Sequence, residues 1–244
     1  TGLYYSSVDW SDYDRDGDLD LIIAGYTGSD IKTLLYSNNN GTFTIVNTSI
    51  TGMYNGDLDW GDYDNDGDLD LLIGGTSSSG AFTKVYNNSN GIFSEDAIIS
   101  SALTNVSEGE YHWVDYNNDG QLDIFISGNT GSSLLSRLYK NNNSSFSTIG
   151  AGITGVKNGS SNWIDYDQDG DLDLLITGDD GSNKIATLYQ NANGTFTDAS
   201  AGFTGVHLSS SSWGDIDNDG DLDVIISGHT GSDPVIKRYE NKID

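Results

Sequence analysis

The chain has 244 residues, 37 Asp and Glu against 10 Lys and Arg, a net charge of −27, and no Cys. That balance excludes nucleic acid as a partner, because no basic stripe can track a phosphate backbone. The lack of Cys excludes disulfide staples and thiolate chemistry, and no apolar run is long enough for membrane insertion. No signal peptide is legible, and Thr1 reads as a cut into a longer protein.

The first unit, residues 1–50, opens with a turn at Thr1-Gly2. A strand then leads into Trp10 and an acidic loop, Asp12-Tyr-Asp14-Arg-Asp16-Gly-Asp18-Leu-Asp20. An apolar second strand follows, then the small-residue turn Thr27-Gly28-Ser29. A third strand ends at Leu34-Leu35-Tyr36, an Asn-rich turn runs from Asn38 to Gly41, and a fourth strand starts at Phe43. Asn and Gly tolerate the left-handed backbone that such tight hairpins need.

The same order recurs in units 51–103, 104–153, 154–203 and 204–244, marked by Trp60, Trp113, Trp163 and Trp213. Three extra residues fall between Phe93 and Thr104, in a connection, where an insertion costs little. The fifth unit stops at Asn241 to Asp244, where its fourth strand is due. Four short antiparallel strands per unit of about 50 residues predict an all-β, five-bladed β-propeller with one acidic loop in the first hairpin of each blade. The Trp and Tyr markers are expected to pack between blades.

The acidic loops carry the chemistry. Their ligand candidates are Asp12, Asp14, Asp16, Asp18 and Asp20; Asp62, Asp64, Asp66, Asp68 and Asp70; Asp115, Asn117, Asp119, Gln121 and Asp123; Asp165, Asp167, Asp169, Asp171 and Asp173; and Asp215, Asp217, Asp219, Asp221 and Asp223. Of the 37 acidic residues, 23 sit at these positions, so the negative charge is local rather than a polyanionic tail. Carboxylates crowded this closely repel unless a cation sits among them. Hard oxygen donors and a Gly at position 6 that permits a sharp turn predict Ca²⁺, about one ion per blade. An EF-hand is excluded, since it needs a bidentate Glu at position 12, and Ile23, Ile73, Ile126, Ile176 and Ile226 stand there. Asn117 and Gln121 predict a weaker third site.

The run Trp-x-Asp-Tyr-Asp-x-Asp-Gly-Asp-Leu-Asp, followed by Leu-Tyr-x-Asn and Gly-x-Phe, resembles the FG-GAP/VCBS repeat over the whole chain. That repeat is familiar from integrin α-subunit heads, from bacterial and fungal propeller lectins, and from bacterial surface proteins. The resemblance implies a β-propeller with Ca²⁺ in each first hairpin, position 7 binding through its backbone. Many relatives have seven blades. Five repeats here suggest a closed five-bladed ring, with an arc of a larger ring as the alternative.

Acidic loops and Asn-rich turns fall on one face of such a ring and repeat almost unchanged. The opposite face varies between units and offers a candidate ligand set of Tyr4, Tyr26, Tyr54, Lys157, His207 and His229. Catalysis is not expected. No nucleophile motif is present, and His112, His207 and His229 lack a relay. The expectation is a calcium-stabilised, secreted or cell-surface module that recognises an extracellular glycan or protein as part of an adhesin or surface assembly. The alternative is a structural spacer that self-assembles through its outer strands.

Overall fold

A computed structural model describes residues 2–241; the expected turn at Thr1 and the segment after Asn241 lie outside them. Blade one is β1 (Tyr4–Ser11), β2 (Asp20–Tyr26), β3 (Ile31–Asn39) and β4 (Thr42–Val46). Blade two is β5 (Tyr54–Gly61), β6 (Asp70–Ser77), β7 (Gly80–Ser89) and β8 (Ile92–Glu95), followed by a short helix α1 (Ala97–Ala102). Blade three is β9 (Tyr111–Val114), β10 (Asp123–Asn129), β11 (Leu134–Asn141) and β12 (Phe146–Ile149). Blade four is β13 (Ser161–Ile164), β14 (Asp173–Asp179), β15 (Lys184–Ala192) and β16 (Thr195–Asp198). Blade five has three described strands, β17 (His207–Gly214), β18 (Asp223–His229) and β19 (Pro234–Tyr239). Every sheet runs in sequence order, giving the five blades of a β-propeller.

The second strand of each blade is apolar on both faces because neighbouring blades cover both. Leu71, Leu72 and Ile73 in β6 are fully buried, as are Leu174, Leu175 and Ile176 in β14. Four apolar clusters form the core, each spanning two consecutive blades. Trp60, Trp113, Trp163 and Trp213 sit in these interfaces, whereas Trp10, expected to do the same, belongs to none of them. Trp60 stacks on Tyr13 of the preceding blade at 6.4 Å, and Trp113 on Tyr63 at 5.4 Å. Such pairs contribute about 0.5–1.5 kcal/mol each beyond the area they bury.

The Tyr markers also latch the entry turns. The hydroxyls of Tyr86, Tyr139, Tyr189 and Tyr239 accept the backbone N–H groups of Thr51, Thr104, Thr154 and Thr204. The Gly after each of three of these Thr residues lets the crossing lie against the preceding blade's third strand. A Cβ on Gly52 would meet the Ile31 carbonyl oxygen at 2.6 Å, and one on Gly155 the Leu134 oxygen at 2.6 Å.

The insertion after Phe93 is a helix rather than a plain connection. Asp96 caps it by accepting from the Ile98 and Ile99 amides, and Ile99 and Leu103 fill the interface between blades two and three.

The two terminal faces differ from the inner ones. Trp10 on blade one is 52% exposed, whereas Trp113 is 8% exposed. Ile225 on blade five is 42% exposed, whereas its counterparts Leu72, Phe125 and Leu175 are fully buried. Arg238 stands on this face where the other blades carry Leu35, Val85, Leu138 and Leu188. A closed circle of five would need five packed interfaces; four are built, and among the described residues no apolar cluster joins blade five to blade one.

Candidate metal centres and the variable face

Each acidic loop joins the first and second strands of its blade. The position-6 glycines turn it through left-handed φ, from +81° at Gly120 to +97° at Gly220. That turn aims the Gly17 N–H at Asp12 Oδ2 (3.1 Å), and the same bond recurs at Gly67, Gly120, Gly170 and Gly220. The other oxygen of the first Asp accepts the position-5 amide in the second, third and fifth loops. Asp12 Oδ1 and Asp165 Oδ1 are buried without any hydrogen-bond partner.

Carboxylates then converge. Oxygens of Asp12, Asp14 and Asp20 lie within 4.8 Å of one another, as do those of Asp62, Asp64 and Asp66, of Asp165, Asp167 and Asp173, and of Asp215, Asp217 and Asp219. Position 9 is fixed from behind by two backbone amides: Asp20 accepts from Asn38 (2.8 Å) and Tyr13 (3.3 Å), and Asp70, Asp173 and Asp223 repeat the pair. Withdrawal from water, with the neighbouring loop carboxylates adding to it, pushes Asp70 and Asp173 up to about 7. Buried oxygens left without a proton donor, inside a ring of carboxylates, fit a hard divalent cation.

Position 7 turns its side chain away from this centre. Asp18, Asp68, Gln121 and Asp171 each accept the amide of the Asn-rich turn, at Asn40, Asn90, Asn143 and Asn193. Position 4 does more than sequence reading suggested. Arg15, Asn118 and Gln168 have left-handed φ and reach into the next blade, donating to the carbonyls of Gly67, Gly170 and Gly220 at 2.9–3.0 Å. Arg15 also forms an ion pair with Asp68. An amide or guanidinium at position 4 in every repeat is the signal that could have revealed this strap.

The Asn two residues after each Tyr marker is likewise more than a turn residue. Asn88, Asn141 and Asn191 are fully buried and donate to Tyr13, Tyr63 and Tyr116 carbonyls in the preceding blade's loop. Acidic loop and blade interface are thus mechanically joined.

The third loop is different. Asn117 donates its amide to Asp123 Oδ2 (2.8 Å), and the ammonium of Lys140 lies 3.1 Å from Asp119 Oδ2. Among the described residues no acidic trio gathers there. Lys140 was not a sequence candidate. It occupies the strand position held by Ser37, Asn87 and Gln190 in other blades, and only the fold brings it over the loop.

On the opposite face the six candidates divide into groups. Tyr4 pairs in register with Tyr26, and Tyr26 and Tyr5 lie 5.8 and 6.3 Å from Tyr54. Beside them a crevice of about 360 Å³ is lined by Tyr26, Asp30, Thr51 and Ser77–Ser79. Lys157 is bound to Glu108 at 2.9 Å. His207 and His229 form an edge-on pair at 5.7 Å, far along the chain from the tyrosines, and burial together with Lys184 lowers the pKa of His207. Tyr5, Asn55, Glu108, Asn158 and Leu208 repeat one left-handed backbone position, linked in part by amide–carbonyl bonds from Glu108 to Asn55, Asn158 to Glu108 and Leu208 to Asn158.

A polar seam missed at the sequence level joins the innermost strands. Asp57 accepts from Ser7 Oγ (2.6 Å), Asp59 from the Trp113 amide (2.7 Å), and His112 Nε2 meets Ser161 Oγ (2.8 Å). Desolvation pushes Asp59 up to about 7 and Glu110 up to about 8, and it pushes His112 down to about 4.

Among curated proteins no sequence matches the chain. Among solved structures it is similar to an Agrocybe aegerita lectin described as recognising non-reducing terminal N-acetylglucosamine. That likeness has a TM-score of 0.60 at 17% identity and covers 96% of this chain and 65% of the lectin. It is also similar to the V. cholerae biofilm matrix protein Bap1, with a TM-score of 0.45 at 18% identity, covering 92% of this chain and 35% of that one. The chain therefore spans less than two thirds of the length of either. No described helix is long and apolar enough to cross a membrane. The FG-GAP-like repeat pattern matches residues 12–73, 62–126, 115–176 and 165–226, overlapping windows that each run from one acidic loop through the next, and the chain belongs to that repeat family.

Proposed function

We propose that this propeller is a calcium-stabilised extracellular binding module, in which the acidic face holds the blades in place and the opposite face recognises a glycan or protein within an adhesin or surface assembly. The observation that carries this reading is the contrast between the faces. Four loops gather carboxylates in nearly the same way, while the opposite face brings Tyr4, Tyr26 and Tyr54 together beside a polar crevice. Tyrosine offers a flat apolar ring and a hydroxyl at once, which suits a sugar's apolar face and hydroxyl rim. Loops on a rigid scaffold are where such recognition resides.

Calcium would be held by the loop carboxylates at positions 1, 3, 5 and 9 and would supply the charge those groups lack. A millimolar extracellular supply suits a site of modest affinity. The test is a glycan array probed with the chain in calcium and in EDTA, with non-reducing terminal N-acetylglucosamine among the sugars. Selective binding that is lost in EDTA and weakened about tenfold or more by Tyr54→Ala supports the reading. Binding that ignores both EDTA and Tyr54→Ala removes it.

The open faces at Trp10 and Ile225 favour a second reading, a structural module that stacks with like blades. Silence on the array together with calcium-dependent polymerisation would select it.

A further inference from the structure

One Asn in each blade interface holds two acidic loops at once. Asn88 donates its backbone N–H to Asp70 Oδ1 (2.8 Å), at position 9 of loop two. Its side-chain amide donates to the Tyr13 carbonyl (2.9 Å), between Asp12 and Asp14 of loop one. Asn141 repeats the bridge from Asp123 to Tyr63, Asn191 from Asp173 to Tyr116, and Asn241 from Asp223 to Tyr166. A second link runs forward along the chain. Position 4 lies between the candidate ligands at positions 3 and 5, and from there Arg15 and Gln168 donate to the carbonyls of Gly67 and Gly220 in the next loop. The N–H of each of these glycines is held by the first Asp of its own loop. Both links end on a candidate ligand or on the backbone beside one. A loop that sets its carboxylates therefore sets part of its neighbour's.

Loop three interrupts the series. Asn117 donates to Asp123 Oδ2 (2.8 Å) and the Lys140 ammonium lies 3.1 Å from Asp119 Oδ2, so the chain itself supplies partners for two of its carboxylates. Among the described residues no acidic trio gathers there, and loop two sends it no position-4 bond. A loop held in one arrangement with or without an ion has nothing to relay. Asn118 does tie it to Gly170 and Asp171, both at 2.9 Å, which gives loop four a fixed neighbour rather than a responsive one.

We propose that calcium fills the loops in coupled pairs, one with two and four with five, and that loop three isolates one pair from the other. This rests on the calcium reading given under the proposed function. The coupling is positive in sign. Ordering the shared Asn and the position-4 side chain is a cost met by the first ion, and the second then meets a loop already anchored. Repulsion between the two ions opposes this only weakly. Stacked sheets lie about 10 Å apart, beyond the roughly 8 Å over which physiological salt screens exposed charge.

The test is amide hydrogen exchange resolved loop by loop, on the whole chain titrated with calcium from a metal-free start. Gly17, Gly67, Gly170 and Gly220 are expected to gain protection, and Gly120 to change little. Asp64→Ala takes a candidate ligand from loop two and touches neither link. It should raise the calcium midpoint of loop one about fivefold or more and leave loops four and five unmoved. Asp167→Ala should do the same to loop five alone, and it decides the matter should the first variant misfold. A partner loop whose midpoint ignores the substitution in either folded variant, or a shift shared by all loops, overturns the proposal and leaves the calcium reading standing. Calcium that protects no loop overturns both.

Discussion

At the scale of single residues, the informative comparison is between loop three and its four counterparts. In the other four loops three carboxylates converge, and Asp12 Oδ1 and Asp165 Oδ1 are buried without a hydrogen-bond partner. In loop three, an amide at Asn117 and the ammonium of Lys140 supply the missing protons and charge. Asn117→Asp combined with Lys140→Ser recreates the side chains that blade one uses. The variant is expected to bind one more Ca²⁺ per chain than the parent, by equilibrium dialysis with metal analysis. An unchanged stoichiometry would show that something other than these two groups disables the loop.

The polar seam between inner strands makes a pH prediction. Glu110, held at about 8 in the fold, keeps a proton where an unfolded Glu, near 4.3, has lost it. The folded state then binds more protons than the unfolded one, so stability falls as pH rises from about 4 through 8. Asp59, at about 7, acts in the same sense. His112, depressed to about 4, opposes them chiefly below about 6.5, where more than half of an unfolded His carries its proton. Between pH 6.5 and 8.5 the buried acids dominate, and Asp70 and Asp173 add the same sense of change in parent and variant alike. Glu110→Gln keeps an acceptor for the Ser161 amide and removes one titration. Its melting temperature should fall less over that interval than the parent's, at constant calcium; parallel curves would count against the seam as the source.

At the scale of elements, blades meet through unlike side chains. Tyr111 on β9 is fully buried, and its ring lies where a Cβ on Gly74 of β6 would come within 2.2 Å. Blade three alone carries Tyr at this position, and the blade it faces has Gly where others have Ala24, Ser127, Thr177 or Ser227. Large faces small across one interface. Gly74→Ala should therefore destabilise by about 1–3 kcal/mol through overpacking, read by calcium-saturated urea unfolding. Ala at position 24 is already tolerated in blade one, so an equal cost would not follow from the residue type itself.

The element scale also shows where sequence reading stopped. Strand order, loop placement and Trp packing were legible because they rest on short-range pattern: alternation, turn residues, and nine-residue loops with fixed spacing. Helix α1 was less so. Its cap, Asp96, and the buried Ile99 lie in a stretch of six residues, shorter than a helical period pattern needs to declare itself. The buried Asn88, Asn141 and Asn191 looked like turn residues because the next residues do form the turn. Their second bond, to a blade about 75 residues earlier, leaves no local trace.

At the scale of the whole molecule, the acidic loops and the blade packing are one system. The Asn staples and the position-4 straps connect each loop to the next blade, so emptying the loops should loosen interfaces and not merely turns. If calcium binds as proposed, each site filled at a hundred times its Kd adds about 2.7 kcal/mol to the folded state. Excess EDTA should lower the melting temperature of the chain by well over ten degrees, in a calorimetric scan. A melt unmoved by EDTA would mean that the carboxylates are neutralised some other way, by protonation at positions such as Asp70.

The sequence by itself determined the repeat, its strands, the acidic loops and the Gly that turns them, because each is written within a few consecutive residues. Tertiary structure alone decided that Lys140 enters the third loop, that the tyrosines of two blades form one cluster, and that Asn88, Asn141 and Asn191 each staple their blade to the one before. These depend on which residues far apart in sequence become neighbours, and that is set by strand pairing within a blade and by how one sheet stacks on the next.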